Sequence, residues 1–175
     1  TTRAISFMRL GESARRVVEY KDDDGIELSQ LALSRKGDAL AFVRGGAPNS
    51  QGDSPNPRSL PDPPQREVWI TGTRAGSPRN LGLGTAPVFA PDDSRLVWID
   101  GSRLMTATLT WGEEGRLTGV SEPAPLATLP SSPSNLRFSP DGSKLAYQRG
   151  SAIEVLDVAT GGVWAIPRQS GSDAG

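Results

Sequence analysis

The chain has 175 residues, a mass of 18.5 kDa, a formal net charge of -1 and only 35% hydrophobic residues, which is material for about one domain. It contains no Cys and no His, so disulfides, thiolate metal sites, cysteine nucleophiles and Ser-His-Asp constellations are all excluded from it. Its 19 Lys and Arg residues are dispersed and no apolar run approaches the ~20 residues of a membrane span, so neither a nucleic-acid nor a membrane partner is expected.

Gly (20) and Pro (15) supply one residue in five, too many chain breakers for a helical bundle. Thr1–Leu10 lacks the apolar core of a signal peptide. Ile5–Leu10 and Arg16–Tyr20 read as a strand pair. Lys21–Gly25 then gathers three consecutive aspartates, followed by Ile26 and Glu27. A calcium loop needs oxygens at alternating positions and a later bidentate acid, so this stretch reads as a solvated turn and no metal is expected.

From residue 31 a pattern recurs. Leu31–Val43, Pro87–Ile99 and Leu136–Gln148 align without gaps, with anchors Ser34, Ala90 and Ser139 spaced 56 and 49 residues apart. Each has an apolar triplet, a four-residue turn and a second apolar run in which Phe42, Trp98 and Tyr147 share a column. The turns have a local mechanism: Pro91 and Pro140 preset φ, Asp92 and Asp141 bond nearby backbone N–H groups, and Gly37, Asp93 and Gly142 take the left-handed conformation. Asp38, Asp92 and Asp141 together resemble a ring of carboxylates, but acids in tight hairpins ordinarily serve their own turn.

A third strand follows in each unit (Glu67–Thr71, Arg103–Ala107, Ile153–Asp157). After turn signals, including Trp111–Gly115, a weaker fourth comes near Arg79–Leu81, Pro125–Leu129 and Val163–Ile166. Four short antiparallel strands per unit make a β-propeller blade, and near-continuous apolar second strands suit sheets covered on both faces. The expected fold is therefore all-β, a partial propeller of about three and a half blades. Residues 1–26 form the outer strands of a preceding blade, and 27–84 a blade with a Pro-rich insertion over 45–66. Residues 85–130 and 131–168 form two further blades, and 169–175 a flexible tail. Trp69 and Trp98 lie inside apolar strands and read as inter-blade core, whereas Trp111 and Trp164 flank turns.

The Ser139–Gly142 turn with Leu145–Tyr147 behind it resembles the WD40-type repeat of TolB-like propellers. It also resembles the N-terminal propellers of the prolyl-oligopeptidase family, which includes dipeptidyl and acylaminoacyl peptidases. Leu31–Ser34, Leu40–Gly52, Pro55–Pro57, Val68–Ile70, Pro78–Gly82 and Ala86–Phe89 are similar to bacterial members of that family. The resemblance implies a non-catalytic propeller that caps an α/β-hydrolase domain and filters access to it, with no cofactor, in a periplasmic or secreted protein. The hydrolase half would carry G-x-S-x-G and a His, and neither is in this chain. Glu113–Glu114 sits in a hairpin turn and is not assigned the substrate-binding role of the family's Glu pair. The alternative is a stand-alone protein-interaction module that completes its circle by self-association. A third reading is small-ligand binding along the central channel. The insertion Gly45–Pro64 holds six of the fifteen prolines and reads as either a solvated loop or a contact surface for another domain or subunit. The candidate interaction residues are Arg44, Asn49, Gln51, Asn56, Arg58 and Trp111. No catalytic, cofactor or metal residue is assigned.

Overall fold

The computed structural model describes residues 3–20, 28–45, 65–74 and 76–167. Among them fifteen strands form four antiparallel sheets. In the first, β1 (Arg3–Phe7) pairs with β2 (Arg15–Tyr20). The second runs β3 (Leu28–Leu33), β4 (Ala39–Arg44), β5 (Glu67–Gly72), β6 (Arg79–Leu83) in chain order. The third contains β7 (Thr85–Phe89), β8 (Arg95–Asp100), β9 (Arg103–Trp111), β10 (Leu117–Val120) and β11 (Ala124–Thr128). The last runs β12 (Ser134–Phe138), β13 (Lys144–Arg149), β14 (Ala152–Asp157), β15 (Val163–Ala165). The fold is all-β and antiparallel, a set of propeller blades packed face to face.

The β3–β4, β7–β8 and β12–β13 hairpins share one backbone solution. Gly37, Asp93 and Gly142 have φ of 73°, 57° and 73°, and each donates its N–H to the carbonyl three residues earlier, of Ser34, Ala90 and Ser139, at 2.9 Å. Glycine enters this region without steric cost and Asp tolerates it. Ser34 Oγ accepts from the N–H groups of Asp38 and Ala39 at 3.0 Å, and Ser139 Oγ from that of Lys144 at 3.0 Å. Ala90 has no hydroxyl for this part, and its turn keeps the bond in which the Asp92 carboxylate accepts from Ser94 N–H at 3.0 Å, as Asp141 does from Ser143 N–H at 3.1 Å.

The third sheet departs from the four-strand expectation. β9 continues to Trp111, so its first half pairs with β11 and its second half with β10. Two successive left-handed residues, Glu114 (φ 56°) and Gly115 (φ 73°), reverse the chain just beyond Trp111 and lay β10 back along β9. Trp111 therefore closes a strand.

Packing is set by the second strand of each sheet. Leu40 and Phe42 cluster with Ile5 and Val18 of the β1–β2 sheet, while Ala41 and Val43 cluster with Leu96 and Trp98 of the third sheet. Val97 and Ile99 then cluster with Leu136, Leu145 and Tyr147 of the last sheet. Successive residues of one strand point to opposite faces, so a strand serving two interfaces must be apolar throughout. Ala39–Val43 and Leu96–Ile99 are accordingly buried without a break. Each Leu, Phe or Trp so enclosed contributes on the order of 1.5–3 kcal/mol.

Gly84 shows how close the fit is. Its φ is +150°, and a Cβ there would stand 2.3 Å from Trp98 Cδ1 and 2.6 Å from the Ile99 carbonyl oxygen. Trp98 Nε1–H donates to the Leu83 carbonyl at 3.2 Å beside it. Gly84→Ala should therefore lower stability by about 3 kcal/mol through overpacking and backbone strain. Gly82→Ala, at φ +94° with open space around the added methyl, should lose only about 1 kcal/mol from the left-handed conformation. Urea unfolding of the two variants checks the difference; equal losses would mean that Trp98 does not rest on Gly84.

Candidate interaction surfaces

Two turn carboxylates join neighbouring sheets rather than their own turns. Asp38 is 6% exposed, and its Oδ1 accepts from Arg9 Nη2 at 2.7 Å and from Arg74 Nε at 3.2 Å. This corrects the local reading of Asp38: Ser34 Oγ closes that turn, leaving the carboxylate to bind the arginines. Arg9 follows β1, Arg74 follows β5, and Gly115 of the β9–β10 turn packs directly on the Asp38 carboxylate. Three sheets thus meet at one buried charge. Arg9, Arg74, Glu12 and Arg15 line a shallow cleft of about 220 Å³ above it. Asp93, 4% exposed, accepts the backbone N–H groups of Arg35 at 2.8 Å and Lys36 at 3.2 Å from the preceding sheet's turn. Its carbonyl accepts from Trp111 Nε1–H at 2.7 Å. A left-handed residue bearing a carboxylate is what this one turn requires, which accounts for Asp where the other two have Gly.

The innermost strands share a feature that the sequence does not advertise. β3, β7 and β12 are each interrupted by a bulge, at Gln30, Ala86 and Asn135, with φ of 50°, 53° and 56°. The three occupy one column of the repeat. Gln30 Oε1 accepts from Ala86 N–H at 2.6 Å, bridging two sheets, and Asn135 Nδ2 donates to Gln148 Oε1 at 2.9 Å. Together with Pro87, Ile99 and Pro133 these residues line a groove of about 360 Å³ along the inner edge. Asn is among the few side chains that favour the left-handed region, but Gln and Ala are not, so the column as a whole carries no shared signal.

The face of the last sheet that turns away from the third is different. Ile153 is 52% exposed, Trp164 45% and Ile166 48%. Lys144 Nζ lies 5.5 Å from the Trp164 ring centroid. On the opposite face Tyr147 is buried, and burial first, then the nearby Glu154 carboxylate, pushes its phenol up to about 12. Glu154 itself is held below the usual carboxylate range by Arg149, which donates to both of its oxygens.

Arg44 ends β4 with its guanidinium 4.0 Å from the Tyr20 ring centroid, joining β2 to the second sheet. Trp111 is half-buried, packed against the Val43–Trp98 cluster, and its bond to Asp93 accounts for its indole without a partner molecule. Asn49, Gln51, Asn56 and Arg58 lie outside the described residues, as do the aspartates of Lys21–Gly25. Asp141 does serve its own turn, accepting from Ser139 Oγ and from Ser143 N and Oγ, and these bonds hold its carboxyl down at about 2. Among the described residues no three His, Cys, Asp or Glu side chains gather where a metal ion would bind.

No protein-family model matches the sequence, and no curated protein matches it. Solved structures do. TolB from Acinetobacter baumannii superposes with a TM-score of 0.54 at 17% identity, over 93% of this chain and 37% of that one. The Pyrococcus horikoshii acylaminoacyl peptidase gives 0.52 at 12% identity, over 82% of this chain and 26% of that one. A chain of a nidogen/laminin complex gives 0.52 at 18%, over 91% of this chain and 54% of that one. At these identities the likeness is one of fold alone, that of the propellers in these three structures. The chain spans between about a quarter and a half of the length of each of these proteins.

Asp93→Gly keeps the turn conformation of its column mates while removing the acceptor for two N–H groups of the neighbouring turn. It should lower stability by roughly 1–3 kcal/mol, the cost of leaving such donors unmet. Asp92→Ala, at an exposed carboxylate that serves only its own turn, should lose less. Chemical denaturation of both variants tests this, and an Asp93→Gly protein as stable as the parent would remove the turn-to-turn bond from the account.

Proposed function

We propose that the chain is a non-catalytic run of TolB-like propeller blades and that it works as the gating or docking propeller of a prolyl-oligopeptidase-type serine peptidase. The carrying observation is the fold shared with acylaminoacyl peptidase, of which the chain spans about a quarter. A sequence with no His, no Cys and no G-x-S-x-G supports it, because the peptidase chemistry then has to reside elsewhere. In this reading residues 1–26 belong to a preceding blade, and 27–84, 85–130 and 131–168 are successive blades. The inner groove lined by Gln30, Ala86 and Asn135 faces the passage through which a peptide would travel, and the partner is an α/β-hydrolase domain.

The coding sequence beyond Gly175 tests this directly. Further repeats followed by G-x-S-x-G and then Asp and His are expected, and the joined protein should cleave an acylated peptide anilide that the 175-residue chain alone leaves intact. A continuation without a nucleophile elbow, or a joined protein without hydrolase activity, would overturn the peptidase assignment.

A further inference from the structure

The junction at Asp38 gathers more positive charge than one buried acid can use. Asp38 Oδ1 accepts one N–H from Arg9 and one from Arg74, whereas each guanidinium carries five. Arg15, the first residue of β2, stands 5.8 Å from the Phe7 ring centroid and forms no ion pair with another described residue. Glu12 is held beside Arg9 by a turn in which its N–H donates to the Arg9 carbonyl at 2.9 Å. It lines the same cleft, yet it forms no ion pair with any of the three arginines. At other junctions one arginine meets one carboxylate, as in Arg16–Glu19, Arg79–Glu122, Arg103–Asp100 and Arg149–Glu154. A single arginine would neutralise Asp38; the others remain to be explained.

We propose that the cleft of about 220 Å³ lined by Arg9, Arg15 and Arg74 is a docking site for one carboxylate, the Glu or Asp side chain of a partner protein. At about 30 Å³ per water, that volume admits an acidic side chain with a few waters around it. The planar fork of a guanidinium matches a carboxylate through two parallel hydrogen bonds. Asp38 holds Arg9 and Arg74 from beneath, so two of the three heads are ordered before an anion arrives and less entropy is lost on binding. Their side chains are 36% and 39% exposed, which leaves them within a partner's reach. Charge then selects the anion. Arg9, Arg15 and Arg74 set against Glu12 and the buried Asp38 leave one positive charge unmatched. A carboxylate balances that charge, a phosphate dianion exceeds it, and the dispersed basic residues offer no stripe for a nucleic acid to follow. The proposal does not rest on the peptidase reading.

The test is a titration of the 175-residue chain, at constant ionic strength, with the capped peptides acetyl-Gly-Glu-Gly-amide and acetyl-Gly-Gln-Gly-amide and with inorganic phosphate. The readout is the NMR signals of the arginine Nε–H groups, which report where binding occurs. The Glu peptide should move the Arg9 and Arg74 signals and half-saturate at roughly 1–10 mM, the range expected of a few charge-assisted hydrogen bonds. The Gln peptide, equal in shape but uncharged, should not saturate. Arg15→Gln, which leaves both bonds to Asp38 in place, should weaken the Glu peptide by roughly fivefold or more. Equal responses to the two peptides, a site unaffected by Arg15→Gln, or phosphate half-saturating below the Glu peptide would each overturn the proposal. So would movement confined to arginines outside the cleft. The comparison of peptides on the parent chain stands without any variant.

Discussion

A β-sheet with apolar side chains on both faces is stable only between two neighbours. In β8 the alternation that ordinarily separates a dry face from a wet one is absent: Leu96 and Trp98 pack toward the preceding sheet, Val97 and Ile99 toward the following one, and all four are buried. Water on either side would expose roughly half of that surface, at ~25 cal/mol per Å². The remaining features of the structure follow from stacking such sheets. The hairpins must be tight so that the inner strands can approach one another. Gly84 must lack a side chain because Trp98 already occupies its space. The last sheet ends the stack with a surface that two earlier sheets keep covered.

Polar contacts between sheets set registration more than adhesion. Asp93 fixes one turn against the next through two backbone N–H groups, and Asp38 holds arginines from two different loops. The arginines at Asp38 are more than a third exposed, so screening leaves that junction a modest stabiliser. It nonetheless specifies how the β1–β2 sheet sits on its neighbour, because a buried carboxylate left without partners would be costly. Apolar faces without such pins would slide over one another. With them, each sheet has one orientation.

Much of this was legible in the residues. The shared columns of the three segments gave the hairpins, the left-handed turn position and the second strands, because these depend on local φ preferences and side-chain alternation. The candidate surfaces were less so. The role of Asp38 depends on arginines 29 and 36 positions away, which no local turn rule can anticipate. The bulges at Gln30, Ala86 and Asn135 were hidden because only Asn135 is a residue type that favours the left-handed region. Trp111 looked like a turn flank because Gly112 and Gly115 surround it, whereas a strand pairing two partners in succession carried it into the core edge. That a partial run of blades leaves an end face uncovered follows from the repeat count, whereas the residues on it, Ile153, Trp164 and Ile166, emerged only from their exposure.

Native-state hydrogen exchange measures the dependence of each sheet on its neighbours most directly. If flanking sheets on both sides are what hold a blade together, protection should be greatest in β4 and β8, lower in β13, and near that of an unfolded chain in β15, whose three residues are all exposed. Uniform protection across the four sheets, or β15 exchanging as slowly as β8, would contradict it.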